Sequence, residues 1–451
     1  MPDERLNRRR LLAASLGAAA TLPLVASSPP TALARTGAAD LPRPEVSRAR
    51  NVRDFGAVGD GRADDTEAIA RACRAGEGPG VLYLPGGTYL VTQWPELPDF
   101  STVTGDGGDL TTIVYEGDGT LISLSDRQRV AFERLGVYVS GPGATAVRLS
   151  GCFRCSFDTV VLRGNHLSDN HPRFTGQRGV VLEGNTGGTA FLNCDINNFG
   201  IGIVTSCVQN FLTSSKLTNN HTGVLGTGND YNAGLSLTNV EFVSDRDPRS
   251  TQRHIYIDGA ANDWWLTNVW FEGADTALTI GRRDHGGPSQ LGLVNCKIAA
   301  RRLCLDLVHC RQPYLANVRF DPDTDPHPTE LRIDPEGCPE GTAVNLVSSA
   351  AFEIDSRAFP DRWNVTGRRR MSAPELTGRV VARALEGEDL LQAQGRDGTV
   401  LSAILPSGAW LTERADTGPI LRDENGIYWR VTVSTDGQLR TTSLGDLRPR
   451  A

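Results

Sequence analysis

From Phe157 to Phe320 the chain repeats one pattern of apolar and polar positions. Phe157-Asp158-Thr159-Val160-Val161-Leu162 aligns with Phe191-Leu192-Asn193-Cys194-Asp195-Ile196, and the same frame recurs at Leu212–Leu217, Leu237–Phe242, Leu266–Phe271, Leu293–Ile298 and Leu315–Phe320. With Thr159, Asn193, Ser214, Asn239, Asn268, Asn295 and Asn317 as reference positions, the separations are 34, 21, 25, 29, 27 and 22 residues. A period in the twenties with variable insertions predicts a solenoid whose coils differ in loop length. Positions two before, one after and three after the reference are apolar or small, so two short strands face inward on either side of a sharp bend. The reference residue is expected at an inward, strained bend: asparagine tolerates left-handed backbone, and stacked side-chain amides can bond along a ladder. A further strand precedes each bend, at Val180–Glu183, Ile201–Val204, Gly223–Leu225, Ile255–Asp258, Leu278–Ile280 and Leu303–Asp306. Three strands per coil predict three long parallel sheets.

Before the repeat, Asn51 to Val91 reads as strand, loop, helix and strand. Asp64 is placed to cap a helix starting near Thr66, with Glu67 as the reciprocal partner and Ile69, Ala70 and Cys73 on one apolar face. The run Val52-Arg53-Asp54-Phe55-Gly56-Ala57-Val58-Gly59-Asp60-Gly61, with Asp64-Asp65-Thr66 and Leu84-Pro85-Gly86-Gly87-Thr88-Tyr89, resembles the N-terminal entry of the pectate-lyase-like β-helix superfamily. That superfamily includes polygalacturonase relatives, rhamnogalacturonases, exo-glucanases and phage tailspikes. The resemblance implies an all-β fold, a right-handed parallel β-helix over residues 51–365, with the helix capping its open end. Arg368-Arg369-Arg370 to Pro374 reads as a linker, and residues 366–451 as a small β module with strands at Gly398–Leu401, Ile420–Arg422 and Gly426–Val433 and a turn at Asp436-Gly437. The last hairpin is similar to C-terminal modules of tailspike-like β-helix proteins. It implies either an adhesive or homotrimer-forming unit or a solvated β-cap.

Composition agrees with many turns: 49 glycines and only 6% aromatic residues in 451. At the N-terminus, Asn7-Arg8-Arg9-Arg10-Leu11-Leu12 precedes an apolar run to Ala26, and Ala32-Leu33-Ala34 offers a small-x-small cleavage site. Residues 1–34 thus read as a twin-arginine signal peptide and 35–50 as a linker, which predicts a secreted protein, folded before export. No other stretch is long and apolar enough to span a bilayer, so no membrane association is expected after cleavage. The signal carries four arginines and two acids, leaving 42 basic against 51 acidic side chains. That balance excludes nucleic acid as a partner, since its binders need a basic face. Nine cysteines leave at least one unpaired. Cys152 and Cys155 form a lone C-x-x-C, read as structural thiols or a local disulfide; Cys194 and Cys296 lie four coils apart and are read as core fillers.

A polymer lying on a solenoid face meets the same outward position on successive coils. One such column, two residues after the bend, runs Asp195, Lys216, Glu241, Trp270, Lys297 and Arg319; its alternating charge suits solubility and lateral ion pairing. A second, on the strand before the bend, places Glu183 and Asp258 at one level, with Asp306 within a one-residue shift. Asp258 and Asp306, two coils apart, should then stand about 10 Å from each other, near the spacing of an acid and a base in an inverting glycosidase. Tyr256 shares the face of Asp258, Arg282 lies in the intervening loop and His309 follows Asp306. Trp264, Trp265 and Trp270 crowd the same coil, where indole faces can stack on sugar rings, although Trp265 is equally able to turn into the core. Asn268-Val269-Trp270-Phe271-Glu272-Gly273 resembles a segment recurrent in tailspike-like β-helices, which makes Glu272 a third candidate carboxylate. Neither the acid set of polygalacturonases nor the calcium set of pectate lyases is present. Asp321, Asp323 and Asp325 have alternate-acid spacing for calcium but no glycine or distal glutamate follows, so no cofactor or metal is expected. The expectation is a polysaccharide-cleaving enzyme, hydrolysis ahead of β-elimination, against a non-catalytic glycan-binding solenoid.

Overall fold

A computed structural model describes residues 49–366 and 389–449, apart from 77, 168–172, 208, 229–233, 246, 248, 323–328, 349–357, 361, 395–398, 415, 417 and 448. The signal segment, the Arg368–Pro374 linker, Asp323 and Asp325 lie outside the described residues. Short runs of alternating burial become strands, stacked coil on coil into a parallel β-solenoid. Thirteen strands, from Arg50–Asn51 to Asn364–Thr366, make the first face, which leads into the asparagine bend. The second face follows the bend, with strands such as Lys216–Thr218 and Glu241–Val243. The third, with Arg178–Glu183, Thr222–Gly226 and Arg253–Ile257, completes each coil.

Three faces are present, but the second and third are hydrogen-bonded into one 19-stranded sheet. The junction lies at Trp270–Ile280 and Lys297–Leu307, which run unbroken around the corner between these faces. In earlier coils that corner carries a left-handed residue, Asn198 or Asn219. Here Gly273-Ala274 and Ala299-Ala300 occupy it, and small side chains with local register shifts let the strand curve without ending.

Inside, each coil contributes the same positions. Leu237, Val240 and Phe242 are fully buried around Asn239. Phe132, Phe157 and Phe191 stack in a column with ring centroids 5.1 and 4.9 Å apart, and Phe242 stacks on Phe271 at 4.9 Å. Burying each such ring contributes about 1.5–3 kcal/mol, with roughly 0.5–1.5 kcal/mol more per stacked pair.

All seven reference residues have φ between 49° and 55°. The ladder forms: Asn268 Nδ2 donates to Asn239 Oδ1 at 3.2 Å, Asn317 to Asn295 at 3.0 Å and Asn345 to Asn317 at 2.8 Å. Its side, however, corrects the expectation of an inward bend. With both flanking residues aimed at the core, the left-handed residue between them carries its side chain away from the axis, and Asn193, Asn239, Asn268, Asn295 and Asn317 are exposed.

The capping helix spans Thr66–Arg74 and buries Ala68, Ile69, Ala70, Ala72 and Cys73. Asp64 Oδ1 accepts from Thr66 N at 2.9 Å, but Glu67 pairs with Arg74 at 2.6 Å and does not close a capping box. Asp65 instead accepts from the amides of Val58 and Gly59, fixing the entry loop. All nine cysteines are free and buried. Burial pushes the thiols of Cys194 and Cys296 up to about 12 and about 11, so these core fillers stay protonated.

Beyond residue 388 the pairing becomes antiparallel. Leu391–Gln394, Val400–Ile404 and Trp410–Thr412 form one three-stranded sheet; Ile420–Arg422, Tyr428–Val433 and Leu439–Gly445 form another. In the last sheet, register puts Leu421, Trp429, Val431, Val433 and Leu439 on one side and Arg422, Arg430 and Arg440 on the other.

Candidate functional site

The bend at Asn268 sends Val269 inward and Trp270 outward, where the indole is 44% exposed. In register, Trp270 lies between Glu241 and Lys297, followed by Arg319, so the outward column runs as the repeat predicts. Part of it is ion pairing, Lys216 to Glu241 at 3.2 Å. At Trp270 it becomes a linked constellation. Trp270 Nε1 donates to Glu272 Oε2 at 3.1 Å, and Lys297 Nζ stands 4.1 Å above the indole while pairing with Asp321 Oδ2 at 2.9 Å. Arg319 Nε holds the other oxygen of Asp321 at 3.0 Å. Glu272 is exposed and sits at the register shift beside Gly273 (φ 91°), a bulge that re-aims the strand. Asp321 is paired with Ala299, which lies beside Glu272, so the two carboxylate-bearing backbones stand two coils apart, about 10 Å. Ala299 between them is 1% exposed.

A buried histidine supports this strand from below, and sequence reasoning passed it over. His254 packs against Phe242 and Phe271, with Nε2 2.9 Å from the carbonyl of Glu272. A carbonyl only accepts, so Nε2 carries the proton. Burial pulls the imidazole pKa down to about 4, keeping the ring neutral.

On the third face the expected carboxylate column does not form. Tyr256 is paired with Thr279 and Thr279 with Asp306, so Asp306 belongs to the column of Tyr256, two positions from the level of Asp258. The offset lengthens the Asp258–Asp306 backbone separation to about 12 Å. Asp306 is also 5% exposed and held by two guanidinium nitrogens of Arg332, at 2.8 and 2.5 Å. Glu183 is paired with Arg148 at 2.8 Å, three coils from Asp258. What does converge is Tyr256, Asp258, Arg282 and His309. Arg253 covers the Tyr256 ring at 4.6 Å, the backbone of His309 abuts Gly281, and Arg282 is bonded by Asp284, with Tyr256 and Asp258 adding to the upward push on its pKa. This group holds one carboxylate from the expected column.

The tryptophans separate. Trp264 is fully buried, a core residue and not a sugar platform, because it alternates inward next to Leu266. Trp265 is 41% exposed on the first face, around the bend from Trp270. Its ring lies over Gly292, where a Cβ would come within 2.1 Å of it, and Tyr314 follows in the same column, 40% exposed. These residues open a groove of about 480 Å³ with Gln290, Gln312, Glu340 and Arg362. The repeat alignment contained the signal: three positions before the bend it reads Trp265, Gly292, Tyr314. Among the described residues, no group of three or more His, Cys, Asp or Glu is placed to hold a metal.

A family model described as "Rhamnogalacturonase A/epimerase, pectate lyase-like" matches residues 49–224, the capping helix and the first coils. Over those residues the chain is similar to that family, and the parallel β-solenoid itself is shown by the strand pairing. The β-helix protein is 43% identical over 74 residues to putative phage-related protein YobO of Bacillus subtilis, covering 16% of this chain and 9% of that one. It is 51% identical over 79 residues to alginate lyase 7 of Azotobacter vinelandii, covering 17% and 9%. The match thus spans about a tenth of each of these two relatives. Among solved structures, PfbA, a surface adhesin of Streptococcus pneumoniae, aligns over 87% of this β-helix protein and 99% of its own chain, at 12% identity and a TM-score of 0.44.

Proposed function

We propose that this protein acts on a polysaccharide laid against the solenoid and cleaves it by hydrolysis on the second face. The observation that carries the reading is the constellation Trp270–Glu272–Lys297–Asp321, in which an exposed indole, bonded to one carboxylate, is linked through Lys297 to a second carboxylate two coils away. In inverting glycosidases the two carboxyls stand roughly 6.5–9.5 Å apart. Glu272 gives a proton to the glycosidic oxygen as the bond from C1 to that oxygen breaks. Asp321 accepts a proton from the water whose oxygen bonds to C1. Trp270 supplies a stacking face for the sugar, and Lys297 and Arg319 fix Asp321. The description of the matching family and the name of alginate lyase 7 favour a polysaccharide substrate. The twin arginines and the Ala32-Leu33-Ala34 site favour export, giving an extracellular chain that starts near Arg35.

A second reading, non-catalytic glycan attachment, is favoured by the two cations that already engage Asp321. A panel of polysaccharides assayed for reducing-end release separates them. On a cleaved glycan, Glu272→Gln and Asp321→Asn should each lower turnover by about a hundredfold or more, with inversion at C1. Unchanged turnover in both variants removes this site, an unsaturated uronate product replaces hydrolysis by elimination, and binding without cleavage leaves the attachment reading.

A further inference from the structure

We propose that the groove on the first face is a second, separate glycan site, and that it takes an uncharged polysaccharide chain. It does not depend on cleavage at Glu272, since the sharp asparagine bend separates the two faces.

Three observations carry it. The first is the platform. Trp265 and Tyr314 occupy one outward column two coils apart, about 10 Å along the axis, with Gly292 between them. Because position 292 lacks a side chain, the Trp265 ring lies across it, on the side where Tyr314 follows in the same column. The span from Trp265 to Tyr314 is close to two sugar residues of an extended chain. An exposed aromatic pair of this kind on a water-facing sheet gains most from stacking against the apolar face of a sugar ring.

The second is the neighbouring column, which runs Asp263, Gln290 and Gln312, with Glu340 and Arg362 lining the same groove. Gln290 Nε2 donates to Gln312 Oε1 at 3.5 Å, a long bond that leaves amide groups facing the groove able to bond to hydroxyls. Hydroxyl recognition needs such groups, which both donate and accept.

The third is charge. Among the described residues the one cation lining the groove, Arg362, is bonded to Glu340 at 2.6 Å, and Asp263 adds a further acid at the far end of the neighbouring column. A polyuronate would bring a carboxylate on every sugar to a surface where Arg362 is already paired with Glu340. A neutral chain loses nothing there.

The test uses the full-length chain carrying Glu272→Gln, so that no probe is consumed, and measures binding of laminarin, galactomannan and polygalacturonate by calorimetry. At least one neutral probe should bind. Trp265→Ala should weaken it tenfold or more, Trp265→Phe should restore most of the loss, and polygalacturonate should bind at least tenfold more weakly than the neutral probe. Glu340→Gln, which frees Arg362, should narrow that difference. Both substituted side chains are at the surface, and a melting curve within 2 °C of the parent confirms folding. The proposal is overturned if no neutral probe binds, if Trp265→Ala binds like the parent, or if polygalacturonate binds as well as the neutral chains. Loss of turnover in the Glu272→Gln parent with neutral-chain binding intact supports both readings, whereas a chain that still cleaves with native Glu272 but binds no neutral probe removes only this one.

Discussion

The solenoid and the last antiparallel sheet are built from strands of similar length and composition, yet they differ in what their apolar residues touch. In the solenoid, Leu237, Leu266, Leu293 and Leu315 occupy one inward position on successive coils and are buried to within 1%. In the sheet Ile420–Gly445, register collects Leu421, Val433 and Leu439 on one side, and these are 59%, 60% and 75% exposed. Alternation is present in both. What differs is closure: a coil wraps its apolar sides around a common axis, whereas the exposed side of the last sheet is not covered by any of the described residues. Strand propensity therefore forms both regions, but only stacking of coils turns it into a core.

The sharpest way to break that contrast is to delete one ring from each region. Phe157→Ala, removing the middle of the Phe132–Phe157–Phe191 stack, should cost about 3–5 kcal/mol and lower the main thermal transition, whereas Trp429→Ala should leave that transition in place. Equal shifts in calorimetric scans would mean that the two regions unfold as one unit.

A second effect depends on pH. His254 is neutral when folded, with its pKa lowered to about 4, while the unfolded chain takes up a proton near the ordinary value of about 6.5. Folding stability from this residue is therefore intact above the unfolded pKa and is lost as pH falls, by about 2 kcal/mol between pH 7 and 5. His254→Gln keeps a donor toward Glu272 and cannot titrate, so its melting temperature should fall less over that interval. An equal fall in both proteins would place the acid sensitivity elsewhere.

The smallest effect contrasts the bend with the column beside it. Asn239→Val forces a β-branched residue to φ 55° and should cost about 1–2 kcal/mol. The ladder bond adds little because it faces water. Lys216→Ala, which removes an exposed pair, should stay within about 0.5 kcal/mol of neutral in urea titrations.

How far the sequence carried the structure depends on which side of the bend a residue lies. Two positions after Asn268, Asn295 or Asn317 the column Trp270, Lys297, Arg319 follows directly, because the bend fixes the count. Before the bend the count crosses a corner whose length varies. Tyr256 stands 12 residues before Asn268 and Asp306 11 before Asn317, so the segment after Asp306 is one residue shorter and Asp306 falls level with Tyr256 and not with Asp258. Arg332, which neutralises Asp306, lies beyond the last aligned repeat, so nothing in the pattern announced it. Trp264 and Trp265 were legible: Leu266 at the inward position sends Trp264 inward and Trp265 outward by strict alternation, as the strand shows. Gly292 was visible as a glycine, but its use as a bed for an indole depends on a neighbouring coil.

The two strands that turn the corner, Trp270–Ile280 and Lys297–Leu307, act as hoops around the barrel of the solenoid. Each ties two walls into one hydrogen-bonded band, so neither wall can peel away without breaking the other. Opening by thermal fraying should then begin at the ends of the stack and stop at this girdle. Amide exchange followed by mass spectrometry should find its slowest protons in 270–280 and 297–307, with protection declining toward both termini. Glu272 would thus stand on the part of the molecule that yields last, with Asp321 on the strand paired directly against it.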